Sequence, residues 1–132
     1  KDLTQWGDLD YLFIDMPPGT GDAYLTVASE IKPNQVLLVT SQSKLAVQDT
    51  LKSKAMFEKL KIPMLGLIDN MSYSIYPNSD EQILEFPSIN LEDAIGLKVL
   101  GSIPRTKDLA NFNPNKFSTF FEPLYNELIK VT

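Results

Sequence analysis

Between Asp10 and Asp22 the chain reads DYLFIDMPPGTGD, and few folds accommodate such a segment. Tyr11, Leu12, Phe13 and Ile14 form an apolar run too short for a helix and rich in residues that suit a buried strand. The spacing predicts a first strand over roughly Asp10–Asp15. Pro17, Pro18, Gly19 and Gly21 follow at once, so neither strand nor helix can continue through them. From Asp22 the pattern turns helical, to roughly Glu30. The order is buried strand, carboxylate at its end, glycine-rich loop, helix. Ligands of open α/β sheets bind outside the carboxyl ends of the strands. A carboxylate there, Asp15, can hold hydrated Mg²⁺, and the N–H of Gly19 can approach a phosphate with no Cβ in the way. Asp22 is more simply read as the N-cap of the helix it precedes.

The rest of the chain repeats this alternation. Lys1 to Leu9 reads as a turn feeding the first strand, with Trp6 expected against the domain edge. Gln35–Thr40 is an unbroken apolar run of the kind found in parallel sheets covered on both faces. Ser41-Gln42-Ser43 then leads into a long helix over about Lys44–Lys61, with Val47, Leu51 and Ala55 on one face and Leu45, Phe57 and Leu60 broadening it. Met64–Asp69 is the next predicted strand, with Asn70 at its carboxyl end. Residues 71–90 show no clean period. Leu91–Leu97 reads as a short helix, and Lys98–Ile103 as a strand closed by Pro104. Asn111 to Lys116 reads as a turn-rich loop, and Phe117–Val131 as a closing helix with Phe120, Phe121, Leu124, Leu128 and Val131 on its apolar face. Helices between apolar strands predict a doubly wound, mostly parallel α/β sheet.

Composition narrows the function. The chain has 132 residues, enough for one domain or part of one, and 43% of them are hydrophobic, enough to bury a core. Its 12 basic and 17 acidic residues give a net charge of −5, which argues against nucleic-acid binding. No apolar run reaches the length of a membrane span, so no membrane partner is expected. The absence of cysteine rules out a disulfide framework and suits a cytoplasmic protein. With histidine absent as well, a soft-metal or iron–sulfur site cannot be built from these residues alone. A chain that opens at Lys1 reads as an excised piece of something longer.

Asp15-Met16-Pro17-Pro18-Gly19-Thr20-Gly21-Asp22 after a strand resembles the switch II segment of the Mrp/ApbC-type P-loop ATPases. These are MinD/ParA-like deviant Walker ATPases of iron–sulfur cluster assembly. Three further matches follow in the family's order: Val36 to Thr40, Pro63 to Ser72 (PMLGLIDNMS) and Leu100 to Pro104 (LGSIP). The resemblance runs from about Trp6 to Pro104. It implies the P-loop NTPase fold, with ATP and Mg²⁺ as cofactors of the intact protein and a homodimer that serves iron–sulfur client proteins. By the same resemblance Asp15 would orient Mg²⁺ through water as the catalytic carboxylate, and Gly19 would donate its N–H to the γ-phosphate. Asn70 would contact the adenine, for which the plainer reading is an Asx-turn. Pro104 would wall the base, for which the plainer reading is a strand terminator.

Two departures limit what the resemblance carries over. Where the family has Cys-Pro-x-Cys, this chain reads Tyr76-Pro77-Asn78-Ser79, so a phenol and a hydroxyl stand in for two thiolates. Neither replaces thiolate for soft iron, and no iron–sulfur cluster is expected on Tyr76 and Ser79. Nor does a G-K-G-G-x-G-K-[ST] phosphate loop occur in residues 1–132. The chain therefore corresponds to the C-terminal portion of one ATPase domain, lacking its P-loop half. On its own it is expected to bind ATP poorly and to be inactive. The alternatives are a positioning or partition ATPase of the same fold and a non-catalytic interaction or dimerisation module derived from it.

Overall fold

A computed structural model describes residues 4–16, 21–75, 82–84, 89–106 and 114–131. Helix α1 (Asp22–Thr26) runs on into a π-helical turn, Val27–Ile31, which ends where Lys32 takes a left-handed conformation at φ 54°. Strand β1 (Val36–Thr40) leads to helix α2 (Lys44–Lys59), and α2 to the long strand β2 (Met64–Ile75). A short strand β3 (Gln82–Leu84), helix α3 (Leu91–Ile95), strand β4 (Val99–Arg105) and helix α4 (Pro114–Val131) complete the order.

Strand β2 is the centre of the sheet. It pairs in parallel with β1 on one side and β4 on the other, and its far end pairs antiparallel with β3. The two faces are covered separately. Leu38 and Leu67 pack with Ala28, Val47, Phe57, Leu91 and Ile95, so the π turn, α2 and α3 lie on one face. Ile68 and Leu100 pack with Leu124 and Leu128, which places α4 on the other. This is the doubly wound, mostly parallel sheet expected from the alternating elements.

In an unbroken strand Leu65 and Leu67 would share a face. Here Leu65 joins the α4 side and Leu67 the α2 side. The register explains the switch: Val36 pairs with Met64 but Leu37 with Gly66, so β2 carries one extra residue there. Gly66 adopts φ +153°, and a Cβ at this position would lie 2.6 Å from the carbonyl oxygen of Lys98 and 2.9 Å from Cγ of Leu100.

Several expectations are corrected. Residues 10–15 are not a strand, and the apolar run lies open to solvent, with Phe13 80% exposed. A lone strand is not stable without a hydrogen-bonded neighbour, and this run has none among the described residues. Trp6 is 53% exposed rather than packed. The buried face of α2 is Val47, Thr50 and Phe57, not Val47, Leu51 and Ala55. Leu45, Leu51, Ala55 and Leu60 are exposed, because the stripe that reaches Leu38 and Leu67 is one position removed. Strand β2 continues six residues past Asp69. Pro104 does not close β4 but lies inside it, where the missing N–H is tolerated because β4 pairs on one side only among the described residues. Pro114 opens α4 instead of marking a loop, since a first-turn proline sacrifices no helical hydrogen bond. In that helix Leu124 is buried, Leu128 half-buried and Phe121 exposed, while the side chains of Phe120 and Val131 lie outside the described part. Asp22 is the first residue of α1, where its charge suits the helix dipole. No described helix is long and apolar enough to cross a membrane.

Gly66→Ala should lower unfolding stability by about 1–3 kcal/mol, because the methyl group has only backbone and a packed leucine to displace. Denaturant unfolding of the two proteins measures it, and an unchanged midpoint would refute the close-approach argument.

Candidate functional site

The parallel strands β1, β2 and β4 bring their carboxyl ends to one rim of the sheet, where α/β folds place ligands. Thr40 of β1 stands opposite Asp69 of β2, Asp69 opposite Ser102 of β4, and Asn70 opposite Ile103. Asn70 and Pro104, singled out separately in the sequence, are thus brought onto adjacent strands. Asn70 is half-buried, whereas the Pro104 ring is fully buried within the sheet.

The backbone just past Asn70 is irregular for a reason. Met71 takes φ 55°, a left-handed conformation unfavourable for a side chain with a Cβ. The pairing of β2 with β4 slips there, with Asn70 opposite Ile103 but Ser74 opposite Arg105. A bulge of this kind bends the strand and re-aims side chains, and such bulges concentrate beside functional sites. Ser72, buried just beyond it, donates to the carbonyl of Ile103 at 3.4 Å and holds the bulged segment against β4.

Asp15 is exposed, at the end of the unpaired apolar run. Its charge reaches Tyr24 in α1: burial raises the phenol's pKa first, and the Asp15 carboxylate raises it further. Tyr24 in turn stacks obliquely on Phe57 of α2, with ring centroids 5.9 Å apart. Gly19, Tyr76 and Ser79 lie outside the described residues. No group of three or more acidic, cysteine or histidine residues that could hold a metal ion occurs among the described residues.

A second set of polar residues was not anticipated. The loop after β1 is tied down from several directions. Ser43 caps α2 by accepting from the N–H of Ala46 at 3.2 Å, and Thr50 Oγ1 lies 2.8 Å from both Thr40 Oγ1 and the carbonyl of Ala46. Gln42 Nε2 donates to Asp69 Oδ2 at 2.7 Å. Asp69 is only 4% exposed, and burial pushes its carboxyl above the usual carboxylate range, an effect opposed by the Gln42 hydrogen bond. The sequence carried one signal for it, an acid at the end of an otherwise apolar strand run.

A central parallel strand flanked by parallel neighbours, helices on both faces and polar residues at the strand ends define a doubly wound α/β fold of the class that takes ligands at its strand ends. The solved structures agree. The chain superposes on the cell division ATPase MinD of Pyrococcus furiosus with a TM-score of 0.71 and 24% identity, over 93% of this chain and 53% of that one. It superposes on a nucleotide-binding protein of Archaeoglobus fulgidus, solved in complex with ADP, with a TM-score of 0.66 and 33% identity, over 87% of this chain and 52% of that one. More particularly, residues 2–125 match the ParA family model described as NUBPL iron-transfer P-loop NTPase, and the chain belongs to that family. It is 39% identical over 110 residues to an iron-sulfur cluster carrier protein of Aquifex aeolicus, covering 81% of this chain and 30% of that protein. It is 36% identical over 104 residues to the iron-sulfur cluster transfer protein NUBPL of Dictyostelium discoideum, covering 76% of this chain and 32% of that protein. The chain thus spans about a third of the length of these relatives.

Met71→Val should destabilise the protein by about 1–2 kcal/mol, because a β-branched residue tolerates positive φ least, while Met71→Gly should be close to neutral. Thermal unfolding of the pair would check the bulge; equal effects from both substitutions would argue against the left-handed backbone.

Proposed function

We propose that this chain is the later half of a P-loop ATPase domain in a protein that carries or transfers iron–sulfur clusters. The family match across residues 2–125, which takes in both Asp15 and Asn70, carries the reading. The relatives' names supply the cargo. The fold is compatible with a domain shared between two stretches of chain. Among the described residues strand β1 pairs on one side only, with Val39 on it 59% exposed, and the apolar run at residues 11–14 has no strand partner. In this reading a strand and a phosphate loop from elsewhere in the protein complete the sheet.

The residues present fit the base side of a nucleotide. Asn70 offers an amide donor and acceptor at the strand-end rim, next to the β4 segment that holds Pro104, and Asp15 is an exposed carboxylate free to take hydrated Mg²⁺. ATP with Mg²⁺ would supply the phosphoryl group, and this chain's part would be to hold the base and position charge. Gly19 would contribute its N–H to the terminal phosphate. The cluster would be held by thiolates elsewhere in the protein or in a second copy, since Tyr76 and Ser79 supply none. A homodimer handing clusters to client proteins follows from the same reading.

In the full-length protein, Asp15→Ala should lower ATP turnover about 100-fold. Asn70→Ala should weaken ATP binding by about tenfold, the worth of one or two lost hydrogen bonds. Steady-state hydrolysis and calorimetric titration measure these, and wild-type turnover in both variants would sink the assignment. Reconstituted iron and sulfide should be unaffected by Tyr76→Phe and Ser79→Ala; a loss of bound iron in either would restore that segment as a cluster site.

A further inference from the structure

Among the described residues, two buried side-chain oxygens have no hydrogen-bond partner, Gln42 Oε1 and Asp69 Oδ1, and they belong to the two groups already joined by one hydrogen bond. Gln42 Nε2 donates to Asp69 Oδ2 at 2.7 Å, so each orphaned oxygen sits on the same planar group as an atom of that bond. Both oxygens are acceptors while Asp69 is ionised, and two buried acceptors cannot satisfy one another. Exchanging the amide's nitrogen and oxygen does not help, for it sets oxygen against oxygen. One proton resolves both deficits. A carboxylic acid and a carboxamide are complementary, each offering one donor and one acceptor side by side, and the terminal torsions that align them are soft.

We propose that Asp69 carries a proton on Oδ1 and donates it to Gln42 Oε1, closing a ring of two hydrogen bonds that clasps the loop after β1 to the end of β2. The clasp joins the residue preceding the α2 cap to the residue immediately before Asn70, so it fixes the rim on which Asn70 stands. Gln42 and Asp69 are positioning residues in this arrangement. The environment favours the neutral acid. Strand β1 carries no ionisable side chain. Helix α2 brings Lys44, Asp49, Lys52, Lys54, Glu58 and Lys59, of which Lys52 pairs with Asp49 and Lys54 with Glu58. Strand β4 brings Arg105, and β2 itself brings Tyr73. None of these charges is among the causes acting on the Asp69 carboxyl, which are burial and the Gln42 bond alone.

The sign of the pH effect is opposite to that of a salt-bridged aspartate. A carboxyl whose folded pKa lies above its unfolded value of 3.8 contributes stability that is full below that value and is lost as pH rises through the folded pKa. Within that window the folding equilibrium constant should fall towards a limiting slope of about tenfold per pH unit. Asp69→Asn should remove this slope, because an asparagine amide makes the same two-bond ring at every pH.

The test is a carboxyl-carbon NMR titration of the full chain, with unfolding followed against pH for wild type, Asp69→Asn and Gln42→Leu. The expected result is an Asp69 carbon that titrates above the other carboxylates, and a wild-type pH slope that is absent in Asp69→Asn. In Gln42→Leu the ring is lost, and the Asp69 titration should change position. An Asp69 carbon ionised throughout the native range would overturn the proposal. So would an Asp69→Asn protein with the wild-type slope. If either variant fails to fold, the wild-type carbon titration still decides between a protonated and an ionised Asp69.

Discussion

Strand β2 holds the sheet together, and it does so through a place where its neighbours come closer than a side chain would allow. Gly66 lies under the carbonyl of Lys98 and against Leu100, and the extra residue there moves Leu65 and Leu67 to opposite faces. A regular strand would also alternate between the two helical layers; what the switch decides is which residues face which, sending Leu65 to the α4 side and Leu67 to the α2 side. The two apolar clusters, one around Leu67 and one around Ile68, reflect the ordinary alternation of consecutive strand residues. The same strand bulges again at Met71, so the carboxyl end that carries Asp69 and Asn70 is framed by two irregularities. A regular strand would present these residues differently.

Much of this was legible in the residues. The apolar runs at 36–40 and 64–69 and the helix between them follow from periodicity and burial, because both strands send apolar side chains into the clusters on the two faces of the sheet. The P-loop character was legible in Asp15 to Asp22 and in Asn70-Met71-Ser72. What failed, failed for physical reasons. The run at residues 11–14 has strand composition, but a strand is defined by its neighbour, and composition does not say whether one is present. The apolar face of α2 was misplaced because Leu45 and Leu51 fit a helical stripe as well as Val47, Thr50 and Phe57 do. Only the position of the sheet distinguishes them, and a buried threonine bonded to Thr40 looks polar in the sequence. The extension of β2 beyond Asp69 was hidden by its polar residues, and the left-handed Met71 has no sequence signal at all.

The polar rim shows how a candidate site can be half visible. Asn70 stood out by resemblance, and Pro104 with it, and the β2–β4 register brings them onto neighbouring strands. Gln42 and Asp69 did not stand out, because their significance is relational: each is ordinary until the other is known to lie beside it in the interior. Residues 27 positions apart in the chain meet only because β1 and β2 are parallel neighbours.

The free side of β1 has a consequence for handling the molecule. Val36-Leu37-Leu38-Val39-Thr40 is β-branched or apolar throughout, with no charge and no proline, and it offers a row of backbone groups with nothing across from them among the described residues. Natural sheets blunt such borders with lysine, proline or a covering element. Among the described residues none of these protects it, and in the equally uncharged run Tyr11-Leu12-Phe13-Ile14 the first three side chains are exposed as well. Two segments of this kind in one molecule are templates for intermolecular zippering. Concentrated solutions of the chain by itself are therefore where amyloid-like or edge-to-edge aggregates should nucleate, and a strand laid along β1 is what would silence them.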